Sequence, residues 1–154
     1  MKTTRFSDNQ IMQILKLVEA YVSTHVREGL CIDVDFSLLS ERVIPSLEQI
    51  IEWRGAPKAI RCNNGPEHIS TVTKKWAEER GIKLDFIQLG NPQQNAYIER
   101  YNRTVRYDSL AHYLFDTIEE VQNFATRWLW TYNNERPNTA IGGIPPKHKL
   151  AMAA

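Results

Sequence analysis

The sequence predicts an α/β domain built on a sheet that is at least partly parallel, because strand-like runs alternate along it with amphipathic helical runs. Leu30–Phe36, Lys58–Cys62 and Lys83–Leu89 read as strands, separated by segments with helical spacing of apolar residues. Three short strands are a meagre sheet for four or five helices, so part of the expected sheet is missing.

Each element follows from a local pattern. Ser7 to about Thr24 reads as one helix, opened by a capping box of Ser7 with Gln10 and carrying a stripe of Ile11, Ile14, Leu15 and Val18. In Leu30–Phe36, Leu30, Ile32, Val34 and Phe36 alternate with Cys31, Asp33 and Asp35, which gives a strand with one wet face. Ser40 to Arg54 is a helix with Val43, Leu47, Ile50 and Ile51 inward, ended by Gly55 and Pro57. Pro45 inside it costs roughly 3 kcal/mol, so that helix has to start late or kink. Asn63-Asn64-Gly65-Pro66 closes the strand Lys58–Cys62, and the next helix is buried through Ile69, Val72 and Trp76 and stopped by Gly81.

After Lys83–Leu89 and the breakers Gly90, Asn91 and Pro92, a helix runs from about Gln93 to Arg106. The last long helix opens with a second capping box, Thr117 with Glu120, and buries Ile118, Val121, Ala125, Trp128 and Tyr132. The tail from Asn133 is rich in Pro and Gly and is expected to be mostly loop.

Composition narrows the function. The 154 residues carry 19 Lys+Arg against 18 Asp+Glu, so DNA binding would have to come from a local patch rather than a global basic field. Cys31 and Cys62 form no C-x-x-C pair, which argues against a disulfide framework or a zinc site. No run resembles a signal peptide or a membrane span. The expectation is a cytoplasmic protein with no membrane partner.

The informative stretch is Arg61 to Pro137. It opens with Arg61-Cys62-Asn63-Asn64-Gly65-Pro66-Glu67-His68 and continues with Gly90-Asn91-Pro92-Gln93-Gln94-Asn95-Ala96-Tyr97-Ile98-Glu99-Arg100-Tyr101-Asn102-Arg103-Thr104. It closes with Tyr132-Asn133-Asn134-Glu135-Arg136-Pro137. These motifs resemble, in order and spacing, the open-reading-frame-B transposases of bacterial insertion sequences, within the retroviral-integrase superfamily. The likeness runs from about Val26 to Ala151.

The resemblance implies an RNase H-like fold with an Asp, Asp, Glu triad holding two magnesium ions. Thirty-five residues separate Asn63 from Glu99, the family's spacing between its second Asp and its Glu. Two-metal phosphoryl transfer needs carboxylates that hold ions about 3.5–4 Å apart, and magnesium prefers hard, charged oxygens. The resemblance places Glu99 in the triad and Asn63 at an Asp position, where an amide lacks the charge that retains a metal. The strand bearing the first Asp has no counterpart here. Magnesium would bind weakly or not at all, and catalysis would be lost.

Met1 to Leu17 instead resembles the opening helix of the companion open-reading-frame-A protein, a helix-turn-helix DNA binder. The expected organisation is therefore a helix-turn-helix remnant over 1–24, joined near residues 17–25 to a partial integrase core with a C-terminal helix and tail over 25–154. The fold expected is a truncated RNase H-like core lacking its first strands.

Other residues carry both functional and plain readings. Asn95, Glu99, Asn102 and Arg106 fall on one helical face; without the motif, that Glu beside arginines would be a solvated, salt-bridged face. Arg100, Arg103, Arg106, Lys74 and Lys75 are the candidates for phosphate contacts on transposon-end or target DNA, against a scattered wet surface. Trp76, Trp128, Trp130 and Tyr132 read as core rather than base platforms, Glu67 as a first-turn acid, and the four histidines as surface or packing residues. Asp33 and Asp35 are poor substitutes for the absent metal ligands. Three functions stay open: a transposase-derived DNA-integration protein without catalysis, a fragment that pairs with intact transposase and dampens it, or an enzyme still active on its own; self-association is a further expected partnership.

Overall fold

The computed structural model describes residues 18–22, 26–34, 40–62, 70–88, 90 and 96–153. These fall into two units, one drawn from Met1–Phe36 and Arg100–Ala154, the other from Ser37–Glu99. Among the described residues the strands form two two-stranded sheets, one in each unit.

In the first unit β1 (Val18–Val22) pairs antiparallel with β2 (Gly29–Val34). This corrects the helix expected up to Thr24, whose part before Val18 lies outside the described residues. Val18, Tyr21 and Val22 are strand formers, and β2 supplies a ladder that outweighs the apolar spacing read as a helical stripe. The register runs from Val18 opposite Val34 to Tyr21 opposite Cys31, then shifts so that Val22 faces Gly29 and Leu30 is the extra residue of a bulge. Ile32 and Val34 are buried as the alternation required, whereas Leu30 and Cys31 are both half-buried beside the bulge.

The second edge of β2 is closed by side chains of α4 (Ile118–Asn134). Gln122 accepts from Val34 N at 2.9 Å and donates to Ile32 O at 2.7 Å. Asn133 accepts from Gly29 N and donates to Gly29 O, both at 2.8 Å and both buried. In a regular strand Gly29 would point to the opposite edge from Ile32 and Val34; the extra residue at Leu30 brings it onto the same one. Gln122 and Asn133 are eleven residues apart, close to three full turns, so one helical face reaches both ends of the strand.

α4 starts on the expected cap: Thr117 Oγ1 accepts from Glu120 N at 3.2 Å, while Glu120 Oε2 reaches back to Asp116 N at 2.8 Å. Val121 and Ala125 are each 1% exposed, Ile118, Trp128 and Tyr132 are half-buried, and Trp130 is exposed at 58%, against the expectation that it joins the core. The tail is more ordered than expected, with a 3-10 turn at Thr139–Ile141 and a helix α5 (Pro146–Met152) that places proline at its first turn. Lys147 on α5 reaches the buried Glu28 carboxylate at 2.7 Å and ties the tail to the start of β2.

The second unit holds α1 (Ser40–Arg54), β3 (Ala59–Cys62), α2 (Thr71–Glu79) and β4 (Lys83–Phe86). β3 and β4 are parallel, in register from Ala59 opposite Lys83 to Cys62 opposite Phe86, with α2 as the crossover that parallel pairing demands. α1 keeps Pro45 on its exposed side, and Ser46 Oγ donates to Arg42 O at 3.3 Å nearby. Val43, Leu47 and Ile50 are buried and Gly55 ends the helix at φ +82°.

In α2 the buried side is Thr73, Trp76 and Ala77; Val72, expected inside, is 57% exposed because it lies outside that i, i+3, i+4 stripe. Trp76 Nε1 donates to Glu48 of α1 at 2.7 Å, and Arg80 pairs with the same carboxylate while lying over the Trp76 ring.

Removing the Asn133 amide strands a buried N–H and a buried C=O of Gly29. Asn133→Ala should lower unfolding free energy by about 2–5 kcal/mol, and Gln122→Ala at its part-buried site by about 1 kcal/mol, as read by denaturant melts. Cys31 gives a second test. Burial, then the Asp33 carboxylate that accepts its S–H at 3.6 Å, pushes this thiol up to about 12 from 9.0. Its protonated form therefore stabilises the fold fully below pH 9.0, and that contribution fades as pH rises from there towards 12. Iodoacetamide near neutral pH should spare Cys31 in folded protein and label it after unfolding.

Candidate nucleic-acid interface

α3 (Ala96–Arg103) carries the residues the sequence singled out, and it passes from the second unit into the first between Glu99 and Arg100. It does not continue regularly to Arg106. From Thr104 to Ser109 the backbone takes the wider i→i+5 turn, then a 3-10 turn over Leu110–His112. Such π-turns rotate the side chains beyond them relative to an unbroken α-helix.

The reason lies in what is buried. Tyr101, Val105, Ser109 and Leu110 are 3%, 0%, 3% and 1% exposed and form the inner side of the rod. Tyr101 packs edge-on against Trp128 at 5.9 Å and Tyr132 at 4.9 Å between ring centroids. It also sits so near Gly29 that a Cβ there would fall on the Tyr101 hydroxyl and 2.9 Å from its Cζ. Gly29 is thus required by close approach and not by a special backbone angle.

This anchoring changes the expected face. Asn95 lies outside the described residues. Glu99 is exposed, but Asn102 and Arg106 are half-buried, and the Asn102 Oδ1 is buried without a hydrogen bond among the described residues. Arg106 is turned inward by the π-turn and makes interactions of its own there. Arg100 and Arg103 are exposed, and neither makes an ion pair among the described residues. Thr104 Oγ1 donates to Arg100 O at 3.0 Å. Tyr107, a residue sequence reasoning passed over, is 53% exposed on the same rod.

Lys74 and Lys75 lie on α2 in the second unit, both exposed. Lys75 Nζ is 4.0 Å from Glu79, and Lys74 Nζ is 5.9 Å from the centre of the Phe86 ring. On the neighbouring sheet Arg61 and Asp85, opposite each other in register, pair at 3.3 Å on a half-exposed face. Their pairing was open to reading in the sequence only once the register of β3 against β4 was known.

The metal question turns on the donor set. Glu99 is a single exposed carboxylate, and Asn63, which directly follows β3, lies outside the described residues. Asp33 is engaged by Cys31, and Asp35 is likewise outside them. A hard divalent ion in a two-metal site needs several charged oxygens converging on it. Among the described residues no three His, Cys, Asp or Glu side chains converge in that way. No helix among them is long and apolar enough to cross a membrane.

Comparison with known proteins places this architecture. Residues 80–146 match the integrase core domain family. An uncharacterized 31.7 kDa protein of insertion element IS407 from Burkholderia multivorans is 34% identical over 130 residues, 84% of this chain and 47% of that one. An uncharacterized 39.2 kDa protein of insertion element IS476 from Xanthomonas euvesicatoria is 35% identical over 125 residues, 81% of this chain and 36% of the other. The chain thus spans about half or less of the length of these relatives. Among solved structures, the HTLV-2 integrase catalytic core domain, in complex with magnesium, superimposes with a TM-score of 0.66 at 19% identity, covering 85% of this chain and 82% of that one. That likeness establishes the RNase H-like integrase fold. Residues 80–146 thus match the integrase core domain family, and insertion-element proteins align along most of the chain.

Proposed function

We propose that this chain is a cytoplasmic, transposase-derived DNA-binding protein of the insertion-sequence type that does not itself cut or join strands. The observation that carries the DNA-binding half is the pair Arg100 and Arg103 on α3, both exposed and without an ion pair among the described residues. In a chain of nearly balanced charge, several other basic groups face acids among the described residues, as in Arg80 with Glu48 and Lys147 with Glu28. Unpaired guanidiniums suit phosphate oxygens. The inactive half rests on chemistry: an amide at Asn63 and one water-exposed carboxylate at Glu99 offer one charge where two ions need several. Pairing of β1 with β2 favours placing the join to the helix-turn-helix remnant before Val18.

A second reading, a fragment that pairs with intact transposase and dampens it, draws on the sheets. β3 has a ladder partner on one side only among the described residues, and such an edge can accept a strand from another chain. Co-expression with an intact insertion-element transposase should then lower transposition frequency; an unchanged frequency removes this reading.

Two measurements test the main proposal. Full-length protein should show no cleavage or joining of transposon-end DNA in magnesium or manganese, and Asn63→Asp should not restore it; nicking abolished by Glu99→Gln would overturn the inactive half. Binding to a duplex should weaken steeply with salt, and Arg100→Ala and Arg103→Ala should each reduce the log–log salt slope by about one. Lys75→Ala should change it less, because Glu79 already faces that ammonium. Salt-independent binding, or slopes unmoved by both arginine variants, would refute the DNA-binding half.

A further inference from the structure

From the shape of the α3 rod we infer that Arg100, Arg103 and Tyr107 form a stacking platform for unpaired single-stranded DNA. This rests on the DNA-binding reading above and specifies which form of DNA the surface takes. Arg100, Arg103 and Tyr107 are spaced three and four residues apart and all exposed, the Tyr107 ring at 53%. Steps of three and four keep side chains within roughly a third of a turn on an α-helix. The wider turn beginning at Thr104 carries Arg106 inward while leaving Tyr107 outside. The result is two exposed cations followed, one wider turn on, by an exposed aromatic ring.

The acid beside the ring does not oppose this arrangement, since Asp108 is neutralised by Arg136 at 3.8 Å. The inner side of the same rod is fixed by Tyr101, Val105 and Leu110, which keeps the outer side rigid. Two guanidiniums complement the charge of a phosphate backbone. A tyrosine face adds something a duplex cannot use, because paired bases hide their faces against one another. An unpaired base offers its face, and base–aromatic stacking tolerates any sequence. The occupant that fits both charge and ring is a single strand, or the frayed end of a duplex.

The test uses the full chain and two fluorescein-labelled probes read by anisotropy: a mixed-sequence single-stranded oligodeoxynucleotide and its blunt duplex. Tyr107→Ala should weaken single-strand binding about five-fold or more, the lower end of what one stacked base contributes, and leave duplex binding unchanged. Tyr107→Phe should restore the lost affinity, because the ring face and not the hydroxyl is used. The melting temperature of both variants should match the parent, as the ring is exposed. Equal single-strand affinity for parent and Tyr107→Ala overturns the platform while leaving the DNA-binding reading intact. A parent that binds neither probe overturns both. Loss of duplex and single-strand binding to the same degree in Tyr107→Ala also overturns the platform, since it would mark Tyr107 as a general contact.

Discussion

The first unit depends on how α4 closes the free edge of β2. Two side-chain amides three turns apart satisfy the backbone at both ends of that strand, and the Asn133 pair is buried. Because Asn133 fixes Gly29, it also fixes the only kind of residue that tolerates Tyr101 at that distance. Tyr101, locked between Gly29 and the rings of Trp128 and Tyr132, sets the rotation of the rod beyond Arg100. The exposed positions of Arg100 and Arg103 thus follow from hydrogen bonds made on the far side of the rod. An edge strand closed by side chains also resists pairing with another copy. α4 serves as both the cover of β2 and its missing ladder.

The balance of charge acquires meaning at this level. A net charge of +1 gives no long-range pull on nucleic acid, so whatever field exists comes from which basic groups are left uncompensated. Arg61, Arg80, Lys75, Arg136 and Lys147 face acids across helices, strands and loops. Arg100 and Arg103, like Lys58, Lys83 and Arg127, face none among the described residues. Several of these pairs are exposed and individually weak, yet they remove local potential just as well as strong ones. Pairing that adds little to stability therefore decides where a polyanion would settle.

How much of this was legible in the sequence depends on the range of the interaction involved. Local signals succeeded: Gly55 and Gly81 end their helices, Thr117 caps α4, and the stripe of Val43, Leu47 and Ile50 faces inward. The integrase-core fold was legible because motif residues occur in order at fixed spacing. Readings failed where a long-range partner decided the outcome. Val18–Val22 has apolar spacing that fits a helix, and only the ladder to β2 makes it a strand. The continuous helix expected to Arg106 widens at Thr104 to bury Val105 and Ser109 together with Tyr101. Trp130 and Val72 looked like core by type and proved exposed by angle. Gln122 gave no signal and Asn133 stood out only within the closing motif, without a structural role, because polar residues on a helix ordinarily face water.

What holds this fold is separate from what an integrase core would need for catalysis. Gly29, Tyr101, Val121, Ala125 and Asn133 maintain the first unit through close packing and buried hydrogen bonds. None is a carboxylate. Glu99, by contrast, is exposed. Repulsion between clustered acids is a cost that a metal site bears for function. Loss of a buried Asn133 or Gly29 contact, on the other hand, acts directly on a margin of about 5–15 kcal/mol typical of domains. Substitution of the exposed Glu99 carboxylate should therefore cost this fold less stability than substitution within the Gly29, Tyr101 and Asn133 packing.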